Sequence, residues 1–240
     1  MKRISLIVPC LNEEEAIPAF KQEIDRVFKE CLEGYAPELI FVDDGSTDRS
    51  LEMIKKMAEH SPEVKFISFS RNFGKEAAIY AGLEAATGDY AAVMDVDLQD
   101  PPSLLPDMLK AIEKEGYDCA GTRRVTRQGE PLLRSFFARA FYKTRHQISD
   151  TRIVDGARDY KLMTRPVLEA LLSLKEYNRF SKGLYEWVGF RTKWFEYENV
   201  ERVAGETKWS FFKLFLYSIE GIVAFSTAPL ALASIMGVLL

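Results

Sequence analysis

Asp95 and Asp97 are the residues whose types and spacing point most directly to chemistry. They follow the apolar run 90–94, which predicts a buried strand with both acidic residues at its carboxyl end. Side chains two residues apart on a strand point to the same face, and two like charges repel unless a cation lies between them. Oxygen ligands of this kind suit Mg²⁺ or Mn²⁺, which also bind substrate phosphates. The pair alone leaves two alternatives, a metal–diphosphate site and a solvated acidic loop.

The composition is that of one large globular domain, or of a domain with an appendage. The chain has 240 residues, of which 47% are hydrophobic and 28% are charged. A net charge of -4 argues against a nucleic-acid partner, because no overall basic field is present. The cysteines Cys10, Cys31 and Cys119 lack metal-ligand spacing, which favours a reduced protein that faces the cytosol.

Residues 1–125 alternate strand and helix patterns. Strands are predicted at 4–8, 38–42, 64–69, 90–94 and 118–121, and helices at 16–32, 50–59, 75–86 and 104–115. This alternation predicts an α/β fold, a mostly parallel sheet with helices on both faces. In such sheets ligands bind beyond the carboxyl ends of the strands, where the polar motifs of this chain lie.

The second half of the sequence carries patterns that indicate a membrane surface. Residues 131–149 contain no acidic residue and interleave basic with aromatic side chains, which predicts an amphipathic helix in the membrane interface. The alternative is an ordinary surface helix over the core. Residues 209–220 form a second amphipathic, aromatic-rich stretch, predicted to be a juxtamembrane helix.

Residues 221–240 carry no charge, and this length suffices to cross the hydrocarbon core of a bilayer. Pro229 is tolerable in a membrane helix. We therefore expect a transmembrane helix here, with a buried core helix as the alternative. Because the apolar run reaches Leu240 without a polar flank, we also expect the natural protein to continue into further membrane helices.

Polar residues follow each of the first four predicted strands. The segments concerned are Val8-Pro9-Cys10-Leu11-Asn12-Glu13, Val42-Asp43-Asp44-Gly45-Ser46-Thr47-Asp48, Arg71-Asn72-Phe73-Gly74-Lys75 and Asp95-Val96-Asp97-Leu98-Gln99-Asp100. Asp44 could accept a hydrogen bond from a base N–H, and Lys75 at a helix start could reach a phosphate. The alternatives are a helix-capping loop at Ser46 and an exposed lysine. Four polar loops at one sheet edge favour the metal interpretation of Asp95 and Asp97.

These motifs, with Gly121-Thr122-Arg123 and the late Phe-Ser-x-x-Pro-Leu, resemble those of a family 2 glycosyltransferase of the GT-A fold. The resemblance is closest to the polyprenyl-phosphate (bactoprenol) group, similar to dolichyl-phosphate mannose synthases, and spans Ile4 to about Leu230. It implies a catalytic domain over 1–208 and inverting, metal-dependent transfer of a hexose, usually from UDP-glucose, to a polyprenyl phosphate. We therefore expect a plasma-membrane protein with a cytoplasmic catalytic domain, and the family makes a homo-oligomer a reasonable expectation.

The resemblance also implies roles for individual residues. The nucleotide sugar would be bound by Pro9, Asn12, Glu13, Asp44, Lys75, Asp95 and Arg202. The cofactor, Mg²⁺ or Mn²⁺, would be held by Asp95, Asp97 and Gln99. The acceptor phosphate would be bound by Arg123, Arg134 and Ser135. Asp97 and Asp159 would be catalytic, with Asp159 acting as a base or as the residue that orients the nucleophile.

The chain departs from the family pattern around Asp159, where Ala157-Arg158, Tyr160 and Lys161 replace the usual neighbours, and at Thr207, where serine is usual. Two other functions remain as alternatives. One is a family 2 transferase that acts on a glycan or another acceptor, although the Gln-x-x-Arg-Trp segment of processive synthases is absent. The other is a non-catalytic membrane protein that binds sugar nucleotides, against which the complete Asp95, Asp97 and Gln99 set argues.

Overall fold

The computed structural model describes residues 1–124, 154, 156–197, 225, 230 and 234–237. The strands are β1 (Lys2–Cys10), β2 (Tyr35–Asp43), β3 (Val64–Ser68), β4 (Tyr90–Val93), β5 (Cys119–Arg124), β6 (Ala157–Thr164) and β7 (Thr192–Tyr197). The helices are α1 (Ala16–Cys31), α2 (Ser50–His60), α3 (Lys75–Ala85), α4 (Leu105–Glu115), α5 (Arg165–Ser173) and α6 (Ser181–Trp187), with a 3₁₀ turn at Pro102–Leu104 before α4.

The seven strands form one sheet in the order β3-β2-β1-β4-β6-β5-β7. Every strand runs in the same direction except β6, which pairs antiparallel with both β4 and β5. The predicted α/β fold with a mostly parallel sheet is therefore confirmed. Because β6 is reversed, its first residues lie at the edge where the other strands end.

Two apolar layers hold helices against the two faces of this sheet. On one face, α1 buries Ile17, Phe20 and Ile24, which recur at the three-to-four-residue spacing of a helix face. On the other face, α3 packs so closely on β1 that a Cβ added to Gly82 would lie 2.3 Å from the Ile7 side chain. This close approach fixes the start of α3, and hence Lys75, over the sheet edge.

The predicted elements of the first 115 residues are present, with ends shifted by two residues or fewer at most positions. The fifth strand differs, because it runs to Arg124 where the prediction ended at 121. The extension follows from continuous pairing with β7 up to Arg124 opposite Tyr197. A strand that ended at 121 would leave Arg123 on the following loop, and this was wrong, since Arg123 lies within β5. The elements β6, α5, α6 and β7 were not predicted from the sequence.

The two amphipathic helices predicted at 131–149 and 209–220 lie outside the described residues. Within the predicted transmembrane segment, only Phe225, Leu230 and residues 234–237 are described, and all of these except Phe225 are helical. Across the described ranges, we find no helix with the length and apolarity needed to cross a bilayer. The membrane segments therefore stay predictions.

A buried carboxylate joins three strands at the amino end of the sheet. Glu38 of β2 is 2% exposed and accepts hydrogen bonds from the Ser5 hydroxyl, from the Thr87 amide and hydroxyl at 2.9 and 2.6 Å, and from the Lys65 ammonium at 2.6 Å. Burial alone would raise the pKa of Glu38, but the hydrogen bonds from Lys65, Ser5 and Thr87 outweigh it and lower the pKa to about 2.

We predict that Glu38 stabilises the fold in a pH-dependent way. Because its pKa is lowered on folding, its contribution is fully present above the unfolded pKa of about 4.3 and is lost as the pH falls towards 2. In urea unfolding, Glu38→Gln should be less stable than wild type at pH 6. The difference should shrink by on the order of 2 kcal/mol at pH 3.

The matched control for this experiment is Glu169→Gln, because Glu169 is an exposed carboxylate that pairs with Arg165 on α5. This variant should follow the wild-type pH dependence. A constant difference between Glu38→Gln and wild type from pH 6 to pH 3 would contradict the assignment.

Candidate active site

The loops after β2 and β3 are held together by the carboxylate of Asp44. Its Oδ1 accepts the backbone amides of Phe73 and Gly74 at 2.7 and 3.2 Å, and its Oδ2 accepts Gly74 at 3.0 Å. Gly45, with φ of 73°, allows this contact, since an added Cβ would lie 2.5 Å from the Arg71 carbonyl carbon. Burial raises the pKa of Asp44 despite the backbone hydrogen bonds. Asp44 therefore fixes the loop that leads into α3.

The loop after β1 is held against the loop after β2 by side chains at the predicted nucleotide site. Asn12 adopts a left-handed φ of 52°, which asparagine tolerates better than most residues. Its Oδ1 accepts the Thr47 backbone amide at 2.7 Å, and its own backbone amide donates to the Ser46 hydroxyl at 2.9 Å. The Glu13 amide donates to the Ser50 hydroxyl at 2.7 Å. Pro9 lies in β1 opposite Val42, directly before this loop.

The loop after β4 turns back on itself and brings Asp97 and Gln99 together. Asp97 is 6% exposed, and its Oδ1 accepts the backbone amide of Gln99 at 3.2 Å. Leu98 between them has a φ of 56°, an uncommon conformation for a residue other than glycine. The strained turn keeps Asp97 and the Gln99 backbone close to the end of β4.

Asp100 anchors the same loop to the far half of the sheet. This carboxylate is 1% exposed and accepts hydrogen bonds from Arg158 Nε at 3.1 Å and from the Tyr197 hydroxyl. Arg158 is the second residue of β6 and Tyr197 ends β7, so one carboxylate links three segments at this edge. Within the described residues, Asp100 Oδ2 makes no hydrogen bond.

The centre of the site is a cluster of ionised side chains from four elements. Lys75 Nζ lies 2.6 Å from Asp95 Oδ1 and 2.5 Å from Asp159 Oδ2. Lys182 of α6 lies 3.6 Å from the other oxygen of Asp159, Oδ1. The sheet explains this meeting, because β6 runs antiparallel to β4 with Lys161 opposite Val93, which places Asp159 beside the chain that continues to Asp95.

Burial and charge oppose each other in this cluster. Burial would lower the pKa of Lys75, but the charges of Asp159 and Asp95 outweigh it and raise the pKa. Burial would likewise raise the pKa of Asp159, but Lys182 and Lys75 hold it well below its usual range. Asp159 is therefore an ionised carboxylate at neutral pH.

The loop after β4 fits a divalent cation by the chemistry of its ligands. Asp95, Asp97 and Gln99 offer only oxygen ligands, which Mg²⁺ and Mn²⁺ prefer. In the ranges that the structure describes, no group of three or more His, Cys, Asp and Glu side chains could hold a metal ion by itself. Two carboxylates and an amide suit an ion that takes its remaining oxygens from a bound diphosphate.

The structure places most of the predicted site residues at one edge of the sheet. Asp95, Asp97, Gln99, Lys75 and Asp159 surround the end of β4. Asn12, Glu13 and Asp44 lie on the adjoining loops, and Pro9 lies near the end of β1. Arg123 pairs with Glu196 of β7. Arg134, Ser135 and Arg202 lie outside the described residues, so their roles stay predictions.

Sequence reasoning missed Lys182 and the contact of Asp100 with Arg158 and Tyr197. Asp100 carried a signal, since it closes the same acidic stretch as Asp95 and Asp97. Lys182 carried none, because its place depends on how α6 packs beside β6.

Comparison with known proteins agrees with this architecture. The family described as Glycosyl transferase family 2 matches residues 5–172. The Mycobacterium tuberculosis glucosyl-3-phosphoglycerate synthase, solved with Mn²⁺, UDP-glucose and phosphoglyceric acid, has a similar structure with a TM-score of 0.59. Its sequence identity is 20%, over 90% of this chain and 76% of that protein, so the likeness concerns the fold.

Sequence relatives are closer. The putative glycosyltransferase CsbB of Bacillus subtilis is 43% identical over 235 residues, which cover 98% of this chain and 70% of the relative. The prophage bactoprenol glucosyl transferase homolog of Escherichia coli is 42% identical over 235 residues, 98% of this chain and 76% of the relative. With a GT-A fold, a family match over most of its length and relatives of this similarity, the chain belongs to glycosyltransferase family 2 and is a glycosyltransferase.

Proposed function

We propose that this glycosyltransferase moves a hexose, glucose in the first instance, from a nucleotide sugar to a polyprenyl phosphate at the cytoplasmic face of a membrane. The observation that carries the proposal is the Asp95–Lys75–Asp159 cluster at the carboxyl edge of the sheet, where ligands bind in folds of this kind. The name of the Escherichia coli relative, a bactoprenol glucosyl transferase homolog, supports the acceptor.

In this proposal the donor lies across the loops that follow β1, β2 and β4. Asn12, Glu13 and Asp44 face the nucleoside, because their oxygens can accept hydrogen bonds from ribose hydroxyls and base N–H groups. Lys75 lies on the diphosphate side, beside Asp95. The hydrogen bonds that already fix these loops would keep the pocket in one shape before the donor arrives.

Asp95, Asp97 and Gln99 would hold Mg²⁺ or Mn²⁺, which when bound neutralises negative charge on the departing diphosphate. In the transfer step an acceptor phosphate oxygen attacks the anomeric carbon. The new carbon–oxygen bond forms as the bond to the nucleoside diphosphate breaks, and one direct displacement inverts the anomeric centre. Because a phosphate monoester is largely deprotonated at pH 7, little proton removal is required.

During this step Asp159 orients the acceptor phosphate or takes its remaining proton. Lys75 lies between Asp159 and Asp95. The acceptor phosphate would be bound by Arg123, with Arg134 and Ser135 of the predicted interfacial helix at 131–149. A basic, aromatic helix in the interface would deliver a lipid phosphate to a site at the membrane surface.

We predict that the rate of UDP release depends on the acceptor lipid. Full-length protein in detergent micelles, with Mn²⁺ and a panel of nucleotide sugars, should release UDP from UDP-glucose at least about tenfold faster when a short polyprenyl phosphate is added. The reason is that the lipid phosphate supplies the nucleophile. The readout is UDP release together with recovery of the glycolipid.

Two controls define this test. Omission of the metal, or addition of a chelator, should abolish transfer if the oxygen ligands after β4 hold a cation. Donor hydrolysis that is unchanged by the lipid phosphate would overturn the proposed acceptor, and a different preferred nucleotide sugar would overturn only the choice of donor.

We predict different kinetic effects for substitutions of Asp95 and Asp159. Asp95→Ala should lower kcat by about 100-fold or more, since it removes one ligand of the cation that would stabilise the leaving diphosphate. Asp159→Asn should lower kcat by about 10- to 100-fold while the KM for donor changes little, because its partner is the acceptor. The measurement is steady-state kinetics with donor and acceptor varied in turn.

Asp107→Asn is the matched control, since Asp107 is an exposed carboxylate in the first turn of α4. It should keep wild-type kinetics. An Asp159→Asn enzyme with full activity would exclude Asp159 as the base, and an active Asp95→Ala enzyme would exclude the proposed metal site.

A further inference from the structure

Lys182 lies beside the carboxylate oxygen of Asp159 that Lys75 does not contact. Lys75 contacts Oδ2 at 2.5 Å and Lys182 lies 3.6 Å from Oδ1, so the two ammonium groups flank one carboxylate. The terminal torsion of an aspartate is broad and roughly two-fold, so the backbone alone does not fix the plane of the carboxylate. Two cations on different helices can fix it.

One end of α6 is tied to the start of α3. The amide of Ser181 donates to Glu76 Oε2 at 3.0 Å, and the Ser181 hydroxyl donates to the same oxygen. Glu76 directly follows Lys75, and Ser181 directly precedes Lys182. The two lysines that contact Asp159 are therefore linked through one carboxylate, which fixes the position of α6 along the sheet edge.

One face of α6 is covered by Phe225, a residue of the uncharged segment 221–240. The Phe225 ring lies 6.4 Å from the ring of Phe180 and 6.2 Å from that of Trp187. It also lies directly on Gly183, where an added Cβ would be 2.3 Å from the Phe225 ring. Only glycine allows this contact, and Gly183 is the neighbour of Lys182.

We propose that Lys182 is a positioning residue for Asp159, and that the packing of Phe225 on Gly183 holds Lys182 in place. Phe225 is then part of the active-site support through α6. The inference rests on the proposed function, because the rate of glycosyl transfer reports the orientation of Asp159. It assigns to Lys182 and Phe225 a role that the sequence motifs did not indicate.

The test is a kinetic comparison of Lys182→Met and Lys182→Arg in the full chain. Lys182→Met should lower kcat by about tenfold with the KM for donor within about twofold, because Asp159 loses orientation while the donor site is intact. Lys182→Arg should recover kcat to within about threefold. Lys193→Met is the matched control, since it removes a lysine–carboxylate pair with Glu115 away from the site, and it should be silent.

The second arm tests the role of Phe225. Phe225→Ala and Gly183→Ala should each lower kcat in the same direction as Lys182→Met, whereas Ile235→Ala, at an exposed position of the same segment, should not. In a double-mutant cycle, Phe225→Ala and Lys182→Met together should cost less than the product of their separate effects, because both remove one constraint. A red shift of Trp187 emission in Phe225→Ala would report loss of the ring contact without an activity assay.

The outcomes separate this inference from the proposed function. If wild type transfers sugar to an acceptor other than a lipid phosphate, the proposed acceptor fails, and the same variants test Lys182 on that reaction. If Lys182→Met keeps wild-type kcat, or changes only KM, the positioning role is overturned. If the effects of Phe225→Ala and Lys182→Met multiply independently, or Trp187 emission does not shift, the role of Phe225 is overturned.

Discussion

The antiparallel pairing of β6 with β4 is the constraint on which the site depends. In a sheet of uniformly parallel strands, the first residues of β6 would lie at the edge opposite the ends of β1 to β4. The reversal instead places Asp159 beside Asp95, so that one ammonium group, Lys75, reaches both carboxylates. Because this pairing brings two carboxylates together, the site needs cations to offset their charge. Lys75 of α3 and Lys182 of α6 supply them.

Buried carboxylates make this edge rigid by accepting hydrogen bonds from the loops that surround it. Asp44 fixes the approach to α3, and Asp100 fixes the loop after β4 against β6 and β7. Burying each carboxylate removes water from it. The hydrogen-bond donors offset this cost only while the loops keep their positions. A site arranged in this way before the substrate binds is what electrostatic catalysis requires, because little reorganisation is left for the reacting state.

The sequence predicted the part of this site that depends on local pattern. The first four strands could be found from their apolar runs, and the polar residues follow directly. Because ligands bind beyond the carboxyl ends of such strands, Asn12, Asp44, Lys75 and Asp95 could be expected at one edge of the sheet. The sequence pattern did not reveal β6 or the position of Lys182, because both depend on pairing and packing between residues distant along the chain. Arg123 illustrates the same limit, since the length of β5 is set by its partner β7.

In the proposed reaction, the surroundings of Asp159 favour orientation of the nucleophile over removal of a proton. A general base works best when its pKa lies near the operating pH, and Lys182 and Lys75 instead hold the pKa of Asp159 well below its usual range. An acceptor hydroxyl would need a stronger base than this carboxylate. An acceptor phosphate, which is largely ionised at pH 7, needs only to be aligned with the anomeric carbon. The ion pairs around Asp159 are therefore better matched to a phosphate acceptor than to a sugar hydroxyl.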